Sequence, residues 1–270
     1  MQQLTLPTET ERLVSRQQIL GMNVDCTSYE QAVETIRGWA GQGLSKYVCA
    51  ACVNNAMEAH DSDQFRGVMN DADLVTPDGM PLVWSLRCLG LPQASRVYGP
   101  DLTLRLLAMA EANGLAVGFY GGESRTLARL LQMVGDGFPA LAVAYSCSPP
   151  FRPLMPQEAR QVVEEINASQ TSILFVGLGS PKQDYWMAAN RGQVRAVMIG
   201  VGAAFDFLAG TKRQAPRWMM KIGTEWLFRL ASEPRRLWKR YLKQNPRFVV
   251  LFALQLLGWK TFSRSSLSQS

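Results

Sequence analysis

The chain has 270 residues, 47% hydrophobic and 19% charged, with 22 Gly, 14 Pro, seven Trp and a net charge of +6. This is a globular composition, large enough for one big or two modest cores, and it excludes a disordered, collagenous or disulfide-scaffold chain. His60 is the only histidine, which leaves one candidate for a histidine triad and none for a multi-histidine metal site.

In chain order, residues 19–24 read as a short strand, and Thr27-Ser28-Tyr29-Glu30 as a capping box opening a helix to Ala40. Residues 46–53 are apolar and β-leaning, and a helix is predicted over 55–70. Leu74-Val75-Thr76 is a very short strand stopping at Pro77-Asp78-Gly79, with helices over 80–89 and 101–112. The alternation continues with strands at 115–120, 141–145, 173–176 and 196–201, interleaved with helices at 123–135, 156–168 and 181–190. Several of these strands are unbroken apolar runs, as expected when helices cover both faces, so the reading is α/β: a Rossmann-like, doubly wound parallel sheet.

Five scattered cysteines and a polar first twenty residues predict a reducing, cytoplasmic compartment. The longest apolar run, residues 248–259, is interrupted by Gln255 and falls short of the roughly 20 residues a spanning helix needs. Charge is divided unevenly. Residues 211–264 hold 13 of the 28 Lys and Arg against only Glu225 and Glu233, whereas the remainder is net acidic. This places a boundary near Gly210, between a core (1–210) and a basic helical appendage (211–270). In the appendage Trp218, Trp226, Trp238, Tyr241, Phe248, Phe252 and Trp259 alternate with cations, a pattern suited to an anionic membrane surface. The charge alone also suits nucleic acid or a phosphorylated substrate, and Met219-Met220 and the tryptophans equally suit packing on the body.

In open α/β sheets ligands bind beyond the carboxyl ends of the strands. Those ends are Cys52-Val53-Asn54-Asn55, Thr76-Pro77-Asp78-Gly79, Tyr120-Gly121-Gly122, 177–183 (GLGSPKQ) and 200–206 (GVGAAFD). Glycine there lets backbone N–H groups approach a diphosphate, although tight turns use it for steric reasons as well. No P-loop sequence and no intact G-x-G-x-x-G is present, which weighs against a nucleotide-dependent oxidoreductase. Asp78, between Pro77 and Gly79, can be held over the sheet edge as a general base, and position alone serves equally for an Asp capping the helix at Met80. Asp61-Ser62-Asp63 and Asp71-Ala72-Asp73 mimic a metal-binding D-x-D but lie away from the strand ends. Cys49 and Cys52 form a C-x-x-C whose members point to opposite faces of a strand and read as buried structural thiols. His60 reads as a surface or capping residue.

Five ordered blocks carry a family resemblance: 73–81 (DLVTPDGMP), 98–102 (YGPDL), 177–184 (GLGSPKQD), 200–206 (GVGAAFD) and 223–230 (GTEWLFRL) with Glu233-Pro234-Arg235-Arg236. Over residues 19–242 the chain resembles the WecG/TagA/CpsF glycosyltransferases. The resemblance implies an inverting, metal-independent enzyme with no cofactor. It would move a sugar from a UDP-sugar donor to a lipid-pyrophosphate-linked saccharide acceptor at the inner membrane face, in exopolysaccharide or related polymer synthesis. By position, Asp78 takes the place of the family's general base, Gln183 that of a donor-site glutamine, and Arg229, Arg236 and Arg240 those of appendage arginines gripping the diphosphate. Asn54, Gly121, Gly122, Gly179, Gly202 and Asp206 complete the expected UDP-binding set. Ala50-Ala51-Cys52 stands where the family often has Thr-x-Asn, which leaves the donor sugar open. Homo-oligomerisation is likewise left open, and no nucleic acid is expected. The other reading of these residues is a non-enzymatic protein that binds a nucleotide or nucleic acid through its basic tail.

Overall fold

The computed structural model describes residues 15–258. Residues 19–24, read above as one strand, instead form the centre of a hairpin, β1 (Arg16–Ile19) and β2 (Met22–Asp25), turning at Leu20 and Gly21. Both turn residues have positive φ (51° and 89°), the backbone that a two-residue hairpin requires. The run misleads because the turn is itself apolar: Ile19, Leu20, Met22 and Val24 are all fully buried.

Helix α1 (Tyr29–Gly41) opens with the expected capping box, built by Ser28 and Gln31. Strand β3 (Lys46–Ala51) follows. The helix expected over 55–70 is two helices, α2 (Val53–Asp61) and α3 (Asp63–Asn70). They break at Ser62, which is extended and whose hydroxyl accepts the Phe65 N–H, a local bond that competes with helix continuation. Then come β4 (Leu74–Pro77), α4 (Met80–Cys88), α5 (Gly99–Ala112), β5 (Val117–Gly121), α6 (Ser124–Gly137), β6 (Val143–Cys147), α7 (Pro156–Ala168), β7 (Ile173–Gly177), α8 (Lys182–Asn190), β8 (Val197–Gly200) and α9 (Ala204–Leu208).

Strands β3 to β8 form one parallel sheet in the order β4-β3-β8-β7-β5-β6. Alternate residues of its strands enter two cores. Tyr47, Cys49, Leu174 and Met198 pack with the hairpin, α2, α3, α4 and α8, whereas Val48, Ile173, Phe175 and Ile199 pack with α1, α5, α6 and α9. Because every strand runs the same way, all the carboxyl-end loops collect along one edge.

The appendage supplies α10 (Arg217–Lys221), α11 (Glu225–Ser232) and the long α12 (Pro234–Leu256). Its aromatics divide between the two roles read from sequence. Phe248 and Phe252 are buried in the first core, and Met220 packs with Tyr98 and Ala215 in a small third one. Trp218 and Trp238 are exposed. Polar contacts help to fix α12 to the body. Gln255 accepts the Leu20 N–H at 2.8 Å and donates to the Gln18 carbonyl at 2.7 Å, and Arg247 binds Asp61 with both terminal nitrogens. Elsewhere on α12, Trp238, Leu242, Val249 and Leu256 are exposed, and their spacing of four and seven places them on one face. Among the described residues, no helix is long and apolar enough to cross a membrane.

Candidate active site

A cleft of about 760 Å³ runs along the carboxyl edge of the sheet, floored by the loops after β3, β4, β5, β7 and β8 and walled on one side by α11 and α12. Asp78 stands in it at the end of β4. Its own N–H and that of Gly79 both donate to the Ala51 carbonyl, at 2.8 and 3.3 Å, so the Pro-Asp-Gly loop is locked to the end of β3. The capping alternative is settled by geometry: the residue capping α4 is Gly79, and the Asp78 carboxylate turns instead toward the first N–H of α5, Gly99, at 3.4 Å.

Around Asp78 the charges are arranged asymmetrically. Arg96 donates through Nε to the Asp78 carbonyl and stacks on Tyr98, 4.3 Å from the ring centre. Its Nη2 lies 2.6 Å from Glu225 Oε2 but 3.6 Å from Asp78 Oδ1. Burial pushes the Asp78 carboxyl up to about 6, opposed by Arg96, the Gly99 N–H and Arg229 and assisted by Glu225. A carboxyl tuned to that range is a proton acceptor close to neutral pH.

Arg229, Arg236 and Arg240 all line the cleft, as do Gly122, Gly179, Gln183, Gly202 and Asp206. Gln183 is buried and accepts the Gly179 N–H at 3.1 Å. Asp206 is engaged at the rim by Lys212, at 3.0 Å, and by the Thr211 hydroxyl. Two expected residues sit elsewhere. Gly121 does not line the cleft; its φ is 121°, and a Cβ there would stand 2.6 Å from the Gly177 carbonyl carbon, so glycine serves the packing of β5 on β7. Asn54 lines a smaller neighbouring cavity of about 120 Å³ that also borders Asp78, Trp226 and Tyr241. The asparagine on the main cleft is Asn55, which accepts the Cys52 N–H at 3.1 Å and donates to Ser180 Oγ at 3.0 Å, joining the loops after β3 and β7.

Sequence reasoning placed Asn55 and Ser180 at strand ends without giving them a role, and it overlooked Arg96 and also Arg125, Arg129 and Lys212, the last three adding cations to the cleft wall. It also misread Cys52. Cys49 is buried as expected, and burial raises its thiol pKa. Cys52, by contrast, opens onto the cleft, its Sγ 3.8 Å from Arg240. Behind the floor, Asp184 is buried and pushed up to about 6 by desolvation. Three of the four D-x-D aspartates, Asp61, Asp63 and Asp73, are engaged in ion pairs. Asp61 is held by Arg247, which keeps its carboxyl down at about 2, and Asp73 binds Lys46 and Arg191 at 3.0 and 2.6 Å. His60 sits beside Asp61, at 3.1 Å.

The sequence pattern of the Glycosyl transferase WecG/TagA/CpsF family matches residues 17–261. The chain belongs to this family. Relatives within reach include a Bacillus spizizenii strain W23 protein, 30% identical over 227 residues covering 83% of this chain and 84% of that one. A Staphylococcus aureus strain MW2 protein is 28% identical over 240 residues, covering 87% and 91%. Both bear the name N-acetylglucosaminyldiphosphoundecaprenol N-acetyl-beta-D-mannosaminyltransferase. As a WecG/TagA/CpsF glycosyltransferase, the protein has the parallel α/β sheet its sequence implies, with the base candidate and the appendage arginines brought to one cleft.

Proposed function

We propose that this glycosyltransferase moves a hexose or N-acetylhexosamine from a UDP-sugar to a lipid-diphosphate-linked saccharide at the cytoplasmic membrane face, with inversion, without a metal ion and in polysaccharide synthesis. The observation that carries the reading is the meeting, in one cleft, of a half-buried carboxylate raised to about 6 and a wall of arginines from the appendage. Asp78 takes the proton of the acceptor hydroxyl while that oxygen attacks the anomeric carbon. The bond to the diphosphate breaks on the opposite face, and the electron pair leaves with UDP. The charge developing on UDP is met by Arg229, Arg236 and Arg240, whose forked guanidinium groups suit phosphate oxygens. The relatives' name directs the first donor and acceptor to try: UDP-N-acetylmannosamine and N-acetylglucosaminyl-diphosphoundecaprenol.

Membrane association is supported by the exposed apolar face of α12 flanked by Arg235, Lys239 and Lys243. The deciding experiment is UDP release from a panel of UDP-sugars in EDTA, with and without a lipid-diphosphate sugar acceptor. Acceptor-dependent release supports metal-free glycosyl transfer. Release only after a divalent cation is restored removes the metal-free claim. Salt-dependent binding of generic DNA with no release from any donor favours the nucleic-acid reading.

A further inference from the structure

Resting on the assignment of Asp78 as base, we propose that Glu225 of the appendage is a positioning residue: it holds the Arg96 guanidinium off the base and thereby ties the base's readiness to the docking of α11. Arg96 is fixed at two points, by its Nε on the Asp78 carbonyl and by its stacking on Tyr98, which leaves Nη2 as the free end between two carboxylates. That end is given to Glu225 at 2.6 Å, and Asp78 is left with a separation of 3.6 Å. Closing the remaining gap to a charge-assisted hydrogen bond needs a movement of less than about 1 Å. Such a bond would occupy the oxygen that must receive the acceptor's proton, and it would make the carboxyl a stronger acid and a poorer base.

The groups facing Asp78 come from several elements. Cys52 caps α2, Tyr29 belongs to α1, Arg96 and Tyr98 precede α5, and the Gly99 N–H opens that helix. Glu225 and Arg229 come from α11, and Arg240 comes from α12. Of these, Glu225 is the acid nearest Arg96, and it arrives with the appendage. Lifting α11 therefore removes Glu225 together with Arg229, frees Arg96 to close on Asp78, and idles the base in a molecule whose site is incomplete.

The test is the titration of the Asp78 carboxyl in the full chain by carbon-13 NMR, its resonance assigned by loss in Asp78→Asn. In Glu225→Gln the midpoint falls by about 1 pH unit, and in an Arg96→Gln background the same substitution moves it by less than half as much. An unmoved midpoint in folded Glu225→Gln overturns the proposal, and an equal shift in both backgrounds reduces Glu225 to a neighbouring charge and overturns it as well. Should Glu225→Gln fail to fold, Glu225→Asp, whose carboxylate is withdrawn by one methylene, gives a midpoint between the two; a wild-type midpoint there counts against the proposal. In turnover, the acid limb of kcat/KM moves with the midpoint and kcat falls about ten-fold, while the donor KM stays within about two-fold. The titration needs no substrate. A shifted midpoint beside a silent transfer assay would therefore remove the tested donor and acceptor from the proposed function and leave the coupling of Glu225, Arg96 and Asp78 standing.

Discussion

Asp78 shows how one residue can be legible in type and illegible in circumstance. The Pro-Asp-Gly sequence at a strand end marks it as a carboxylate held rigidly over the sheet, but only the structure shows it turned to the N-terminus of α5 and left half-satisfied by Arg96. Replacing it with Asn is expected to lower kcat by a factor of about 10² to 10⁴ with the fold retained, measured by UDP release and thermal unfolding. Its raised pKa also has a stability consequence. The native state holds the Asp78 proton up to about pH 6, whereas an unfolded Asp releases it near 3.8, so this contribution is present at low pH and is lost as pH rises through 6. Asp78→Asn lacks that loss. Relative to wild type, the variant should therefore gain up to roughly 3 kcal/mol between about pH 3.5 and pH 8, read from denaturant unfolding at the two pH values. The wild-type kcat/KM should rise through an acid limb near pH 6 for the same reason. Arg96 carried no comparable mark, since an arginine in a loop between two helices looks in sequence like any solvated cation.

At the scale of elements, the glycines at the strand ends turn out to do two different jobs. Gly122 and Gly179 open backbone to the cleft, whereas Gly121 and Gly177 allow β5, β7 and Phe205 to close on each other. A Cβ at Gly177 would stand 2.5 Å from the Phe205 ring, which is buried and braced edge-on against Phe119. Gly177→Ala is therefore expected to cost roughly 1–3 kcal/mol, seen as a lowered denaturant midpoint. The tether at the end of α12 gives a second test. Gln255→Ala strips the Leu20 N–H of its acceptor inside the hairpin turn and should destabilise by about 1–3 kcal/mol. The hairpin and the Ser62 break were missed for related reasons. In each case the local signal, an apolar turn or a serine within an amphipathic run, has the same composition as the element it interrupts.

For the whole molecule, the uneven charge marked out a basic C-terminal segment but not how it is built into the body. Deleting 211–270 would remove Phe248 and Phe252 from the first core and strip Gln255 from the hairpin, so a truncated chain would confound membrane release with unfolding. Surface substitution separates them. Trp238→Ser, Leu242→Ser and Val249→Ser together should weaken binding to anionic vesicles at least ten-fold, read by vesicle sedimentation, with the thermal midpoint nearly unchanged because all three side chains face solvent. Retained vesicle binding would move the membrane contact to another surface, such as the one around Trp218 and Ile222.

The amino-acid sequence by itself determined the parallel α/β class, the strand ends that line the cleft and the basic character of the C-terminal segment. Each of these rests on interactions within a few residues: hydrophobic period, turn chemistry and local charge. Which residues meet across long separations belonged to tertiary structure alone. The sheet order sets Asn55 against Ser180, the return of α11 brings Glu225 to Arg96, and α12 brings Arg247 to Asp61, through contacts 125, 129 and 186 residues apart. Nothing in the local sequence encodes such pairings, because each exists only once two cores have packed on opposite faces of the sheet and carried their loops to a common edge.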